Sequence, residues 1–301
     1  MAASIQDSAT IDSALRAALL KTRNPDGGWG YRAQTRSRIE PTCWALLSLG
    51  HNTGRQPDTS VLGRWPKHDQ WFIDVAGAAP NYAFNAIAAL TLLQTPATAA
   101  VADVTIDGLV SVKGAWAFPS RLLRQNNSLR AWSWVQGTFS WVEPTAWCLL
   151  LLKHRLRYGR IAGAKKRIHV AEQMLFDREC QPGGWNYGNA YVYGRALPAY
   201  VPTTALTLLA LQDRRDAPSI NRALEELQKD VLREPSSLAV ALTLICLRVY
   251  GLATDTCQRM LVELMSEHRE NTQTDNVMAL AMALYAVTNR RPAAFELPKR
   301  A

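Results

Sequence analysis

Six stretches of this chain are apolar over two helical turns or more with no polar stripe, and a helix of that kind has to be covered on every side. They open near positions 41, 80, 144, 202, 235 and 274. Five of the openings are proline followed by a capping residue: Pro41-Thr42, Pro80-Asn81, Pro144-Thr145, Pro202-Thr203 and Pro235-Ser236. Proline suits the first helical position, where its fixed φ helps and its missing N–H would have no partner anyway. Ahead of each stretch runs a segment with one apolar face, over 7–21, 59–65, 97–113, 161–180, 217–232 and 256–269, the second of them short and weak. One buried helix behind one amphipathic helix, repeated along the chain, describes either an open solenoid or a closed ring. A solenoid usually leaves one face of each repeat in water. The all-round apolar helices therefore predict closure: an all-α, α/α toroid of about six helix pairs, with residues 1–301 forming one domain.

The connections between the helices of a pair share an order of parts. In 25–31, PDGGWGY, and again in 181–188, QPGGWNYG, a glycine pair precedes a tryptophan, an aromatic loop follows, and a proline-started helix closes the unit. Proline and glycine supply the fixed and the positive φ that such turns need. Shorter versions occur at 114–118, GAWAF, and 137–141, GTFSW.

Composition narrows the class. Hydrophobic residues make up 48% of the 301, enough for a large core and too many for a disordered chain. Cys43, Cys148, Cys180, Cys246 and Cys257 are odd in number and widely spaced in a chain that needs no staples, as expected for reduced thiols in a cytoplasmic protein. Residues 1–12 show no basic start and no apolar run, so no signal peptide is read there, and no apolar run reaches the length of a membrane span. The net charge of +9 and pI near 9.5 favour anionic partners and allow peripheral membrane contact. No zinc-finger spacing, RNP-like strand or recognition helix accompanies that charge, so nucleic acid is not expected as a partner. The sequence leaves the oligomeric state open.

The glycine-tryptophan turns followed by a proline-started apolar helix resemble the repeat of the terpenoid cyclase and protein prenyltransferase superfamily, including the QW repeats of squalene–hopene cyclase. That resemblance spans nearly the whole chain, although the last two pairs lack the turn. It implies an enzyme acting on an isoprenoid or similar apolar small molecule, diphosphate-bearing in some members, inside an aromatic-lined cavity. Class II cyclases of this superfamily carry a DxDD acid motif, and none occurs here. Prenyltransferases hold zinc through an Asp-x-Cys pair after a Gly-Arg step. Here Gly194-Arg195 is followed by Val201 and Thr203 at the matching places, so no metal and no cofactor are expected. The alternative is a non-catalytic toroid that binds a lipid, a peptide or a partner protein, and a further one is a carbohydrate-active toroid.

Candidate site residues follow from the loops ahead of the inner helices, which share one mouth of such a ring. Glu40 and Glu143 immediately precede Pro-Thr helix starts and, with Asp275, are the acid–base candidates. Arg36, Arg38 and Arg195 lie in those loops, where a planar guanidinium can hold an anionic head. Tyr82, Phe84, Tyr191 and Tyr193 are the rings expected to enclose an apolar tail or to face a cation. The plainer reading of Trp29 and Trp185 is packing of the turns themselves.

Overall fold

Standing the apolar helices side by side in a circle covers each of them with two neighbours and an outer layer. The computed structural model describes residues 2–50, 58–118, 124–270, 276–288 and 292–297, with the backbone alone over 2–10 and 268–270. The chain is all-α. Its helices run α1 (Ala2–Lys21), α2 (Ile39–Gly50), α3 (Ser60–Gly63), α4 (Tyr82–Leu92), α5 (Ala99–Ser111), α6 (Val142–Leu156), α7 (Ala164–Asp177), α8 (Val201–Ala210), α9 (Pro218–Arg233), α10 (Ser237–Tyr250), α11 (Asp255–Glu270) and α12 (Val277–Thr288). The even-numbered helices form the inner circle: α2 packs on α4, α4 on α6, and so on to α12, which packs back on α2. Each outer helix lies mainly over the inner helix before it, α5 on α4, α7 on α6, α9 on α8 and α11 on α10. The first outer helix, α1, covers the last inner helix, α12, so the ring is closed in both layers. The architecture is an α/α toroid.

Burial explains which helix lies where. In α9 the buried residues are Ile220, Ala223, Leu224, Leu227 and Val231, a single stripe at helical spacing. In α4 every residue except Phe84 is buried, and four alanines let its neighbours approach closely. Threonines survive on the inner circle by back-bonding, as Thr91 to the Ile87 carbonyl and Thr207 to the Thr203 carbonyl, both at 2.8 Å. Helix starts are fixed by side-chain caps where the sequence supplies them: Asn81 accepts from the Phe84 amide and Ser236 from the Ala239 amide. The inner helices begin within three residues of the positions read from sequence. The weak second outer segment is a single turn, α3.

Strand content among the described residues is limited to two small hairpins, β1 (Lys67–His68) with β2 (Trp71–Phe72), and β3 (Tyr191–Val192) with β4 (Arg195–Ala196). One polar network lies within the packing. The Lys153 ammonium, 5% exposed, meets the Glu172 and Asp213 carboxylates and the Ala210 carbonyl, tying α6, α7 and the end of α8 together. The segment 292–297 turns under the ring: Gln212 donates to the Phe295 carbonyl at 2.8 Å and accepts from the Leu297 amide at 2.8 Å, and Phe295 is completely buried.

Candidate functional site

The connections ahead of the first four inner helices are held by one repeated clasp. Thr42 Oγ1 accepts from the Trp29 amide at 2.9 Å, thirteen residues earlier in sequence, and donates to the Trp29 carbonyl. Thr145 does the same for Trp132 across the same separation, and Thr204 for Trp185 across nineteen residues. The extra length in the last case accommodates the β3–β4 hairpin. In the second pair Asn85 replaces threonine, accepting from the Phe72 amide and donating to its carbonyl. The three indoles donate in turn to the outer helix of their own pair, at the Leu19, Leu109 and Leu175 carbonyls. Trp29 and Trp185 therefore serve packing. The residue before each of them has to be glycine, since a Cβ would stand 2.8 Å from Ser37 Cβ at Gly28 and 2.7 Å from Thr204 Oγ1 at Gly184, where φ is also positive. In the third pair the position belongs to Trp132. The GAWAF stretch that matches the pattern by eye leaves Trp116 49% exposed, stacked edge-on against Phe118.

This clasp sets the register of the mouth. Two residues before the clasp side chains stand Glu40, Ala83, Glu143 and Pro202, so the two glutamates occupy equivalent places on α2 and α6, with α4 between them. The first amides of the inner helices lack partners within their own helix. Here the connection belonging to the following pair provides one: Val277 N–H donates to the Tyr31 carbonyl, Tyr82 to Trp134, Val142 to Tyr187, and Ile39 to the Asp74 carboxylate.

The two glutamates differ in their surroundings. Glu40 accepts a 2.7 Å hydrogen bond from the Tyr31 hydroxyl. Burial still holds the Glu40 carboxyl above its usual range, although the Tyr31 bond pulls the other way. Glu143 has no hydrogen-bond partner among the described residues. Burial, with the Glu40 charge adding to it, pushes it up to about 7. Trp44 follows Glu40 by four residues and Trp147 follows Glu143 by four, which places each indole on the same helical face one turn below its carboxyl. The two indole rings meet at 6.1 Å between centroids, and Phe295 and Tyr285 pack against them. The acids thus stand above an aromatic floor. Trp44, Trp147, Tyr285 and Phe295 were not singled out from sequence; the repeated strings EPTCW at 40–44 and EPTAW at 143–147 carried the signal for the first two.

The other predicted residues are dispersed around this centre. Arg38 is committed to Asp74 at 2.7 Å, with its guanidinium over the Tyr31 ring at 5.5 Å. Arg36 is exposed and borders a separate surface cavity of about 510 Å3 with Asp26, Arg64 and Trp65. Arg195 is exposed on β4, and Tyr193, 75% exposed, holds a left-handed turn at φ 50°. Tyr191 is partly buried with the Arg124 guanidinium 3.9 Å from its ring centre. Tyr82 is buried against Trp71 at 5.2 Å, and Phe84 is partly exposed. Asp275 lies outside the described residues. Val201 opens α8 and Thr203 is buried on it, and neither can ligate zinc as an acid or thiolate would. Among the described residues no three His, Cys, Asp or Glu side chains cluster, and no helix is long and apolar enough to cross a membrane.

No protein-family model and no curated protein matches the chain. Among solved structures, a GH76 alpha-mannanase from Bacteroides thetaiotaomicron superposes with a TM-score of 0.59 at 10% identity, over 94% of this chain and 96% of that one. A type II terpene cyclase from Scytonema, in complex with geranylgeranyl dihydroxybenzoate, superposes with a TM-score of 0.57 at 12% identity, over 98% and 99%. At such identities the likeness is one of fold.

Proposed function

We propose that this toroid is an acid-catalysed enzyme of the terpenoid cyclase type, with Glu143 as the proton donor, acting on an isoprenoid that carries oxygen at its reacting end. The observation that carries the reading is Glu143 itself: an unpartnered carboxyl raised to about 7, one turn above Trp147 and within the field of Glu40. Such a group is part-protonated at neutral pH and suits protonation of an epoxide or similar oxygen better than that of a bare alkene, which demands a stronger acid. The proton passes from Glu143 to the substrate oxygen, the C–O bond breaks, and an alkene of the same molecule closes on the carbocation. Glu40, which accepts the Tyr31 hydrogen bond, takes the proton lost at the end. Aromatic faces are suited to the intervening cation. Arg36 and Arg195 remain exposed to meet an anionic head, and Phe84, Tyr191 and Tyr193 offer apolar contact, while Tyr82 supports the wall behind Trp71.

The paired carboxylates also support a second reading, glycoside cleavage with Glu143 as acid and Glu40 as base or nucleophile. Sugar recognition needs free polar groups around the acids, and the nearby ones are engaged with each other, Arg38 with Asp74 and Tyr31 with Glu40. This favours the apolar substrate.

The test is incubation of the protein with isoprenoid epoxides and prenyl diphosphates of several chain lengths, with gas-chromatographic product analysis, alongside a panel of oligosaccharides. Cyclised products that disappear in E143Q by at least about a hundredfold, with a rate that falls above about pH 7, are expected. Cleaved oligosaccharide with the same dependence transfers the acid to the second reading. Lipid retained in native mass spectrometry with no turnover anywhere in the panel, or full activity in E143Q, overturns the proposal and leaves a binding toroid.

A further inference from the structure

On the flank of the ring, the C-terminal end of α5, the connection ahead of α6 and the N-terminus of α7 enclose a cavity of about 410 Å3. Its charged lining has one sign: Lys113, Arg130, Lys166 and Arg167, without an Asp or Glu. None of the mouth residues Arg36, Arg38, Glu40 or Glu143 lines it, so it stands independently of the proposed reaction.

Arg167 is the unusual member. It is 5% exposed, its terminal nitrogens donate to the Arg130 and Ala131 carbonyls at 2.8 and 3.0 Å, and its guanidinium lies 4.1 Å from the Trp132 ring centre. All of those partners are neutral. No carboxylate pairs with it among the described residues, and its buried Nε has no acceptor. A buried cation is costly unless an anion answers it, and here burial pulls the guanidinium down to about 10, with Arg130 adding to the effect. The start of α7 points the same way. Gly163 caps the helix at φ 76° with no side-chain bond to the first turn, and the Lys165 and Lys166 amides donate to no backbone carbonyl among the described residues. Lys113 and Lys166 are exposed at the rim and take part in no ion pair there.

We propose that this cavity is a phosphate-recognition site, taking a phosphate monoester or diphosphate whose oxygens meet the two lysine ammonium groups and the free amides at the head of α7, with the unanswered charge of the buried Arg167 guanidinium in the wall behind them. The fork of Arg130 is partly engaged, its Nε donating to the Gly114 carbonyl at 2.7 Å, and it adds charge at the entrance. Valines at 110 and 170 give the rest of the wall an apolar surface for whatever carries the phosphate.

The test is titration calorimetry of inorganic pyrophosphate at low ionic strength into the wild type and a K113A/K166A variant, with co-sedimentation on phosphatidylcholine vesicles with and without phosphatidic acid. Both lysines are exposed, so the variant should melt as the wild type does. Saturable binding that weakens about tenfold in the variant is expected, while a charge-matched K21A/K229A control keeps wild-type affinity. Binding of pyrophosphate without vesicles assigns a soluble ligand; binding of phosphatidic acid vesicles without pyrophosphate assigns a lipid headgroup. Equal binding by wild type and variant, equal weakening in the control, or binding to neither probe overturns the site.

Discussion

The Thr42 hydroxyl accepts from the Trp29 amide at 2.9 Å and donates to the Trp29 carbonyl at 3.1 Å, so one side chain closes both backbone groups of a buried tryptophan. The threonine is itself fully buried on α2, and the same closure recurs at Thr145 and Thr204. It is the device that sets the height of the connecting loops relative to the inner helices, and through them the place of both glutamates.

Replacing Thr42 with valine keeps the shape and removes both bonds, leaving the Trp29 amide unanswered in the core while its carbonyl keeps the Arg38 amide at 2.8 Å. The expected loss is about 1 to 3 kcal/mol. T145V should lose a similar amount, and because the two clasps share no partner the double variant should show the sum. Urea denaturation followed by circular dichroism measures all three; a loss under about 0.5 kcal/mol would count against the clasp as a source of stability.

Glu143 makes stability fall as pH rises. Its carboxyl is raised from the ordinary 4.5 to about 7, so between those values the folded protein keeps a proton that the unfolded chain releases. The folded state is undisturbed at the acid end of that window and carries the full penalty above it. E143Q should match the wild type near the acid end and exceed it by about 3 kcal/mol near pH 8. Melting curves across the window decide it; parallel profiles would place Glu143 in water.

Lys153 answers Glu172 and Asp213 together, and Arg214 lies 3.1 Å from Glu172 as a second cation. K153M leaves the buried Glu172 carboxylate with the half-exposed Arg214 alone, Asp213 being exposed, and should cost about 2 to 3 kcal/mol. Adding E172Q should recover part of that loss. A double variant less stable than the sum of the two single changes would contradict the pairing.

Phe295 stacks on Trp44 at 5.2 Å and lies within 6.1 Å of Trp147, the floor beneath the acids. F295A should cost about 3 to 5 kcal/mol through the lost ring and the cavity it leaves. If the mouth and floor are one site, turnover of any substrate found should also fall in F295A under conditions where the variant remains folded.

The fold was legible because burial on every side leaves its mark residue by residue: a string such as YAFNAIAALTLLQ has no side to give to water. The tryptophan register was harder. Three of the four clasps place an aromatic residue thirteen positions before a threonine or asparagine, Trp29 and Thr42, Trp132 and Thr145, and Phe72 and Asn85, while Trp185 and Thr204 are nineteen apart. The glycines at 27–28 and 183–184 answer local needs of their own turns, a positive φ at Gly27 and Gly184 and close neighbours at Gly28 and Gly183, so GAWAF resembled the clasp without forming one. Glu40 and Glu143 were visible as the residues before Pro-Thr. Their coupling was not, because it depends on how α2, α4 and α6 pack side by side, and the floor beneath them takes rings at 285 and 295 from the far end of the chain.

That far end has a further consequence. The bridge between Arg32 and Asn276, and the bond from the Val277 amide to the Tyr31 carbonyl, join the first connection to the last inner helix. During synthesis α2 therefore waits, one flank unprotected, until α12 has been translated and can reach it. An apolar helix held open for that long is an invitation to aggregation, and this seam is where the ring is exposed to it during synthesis.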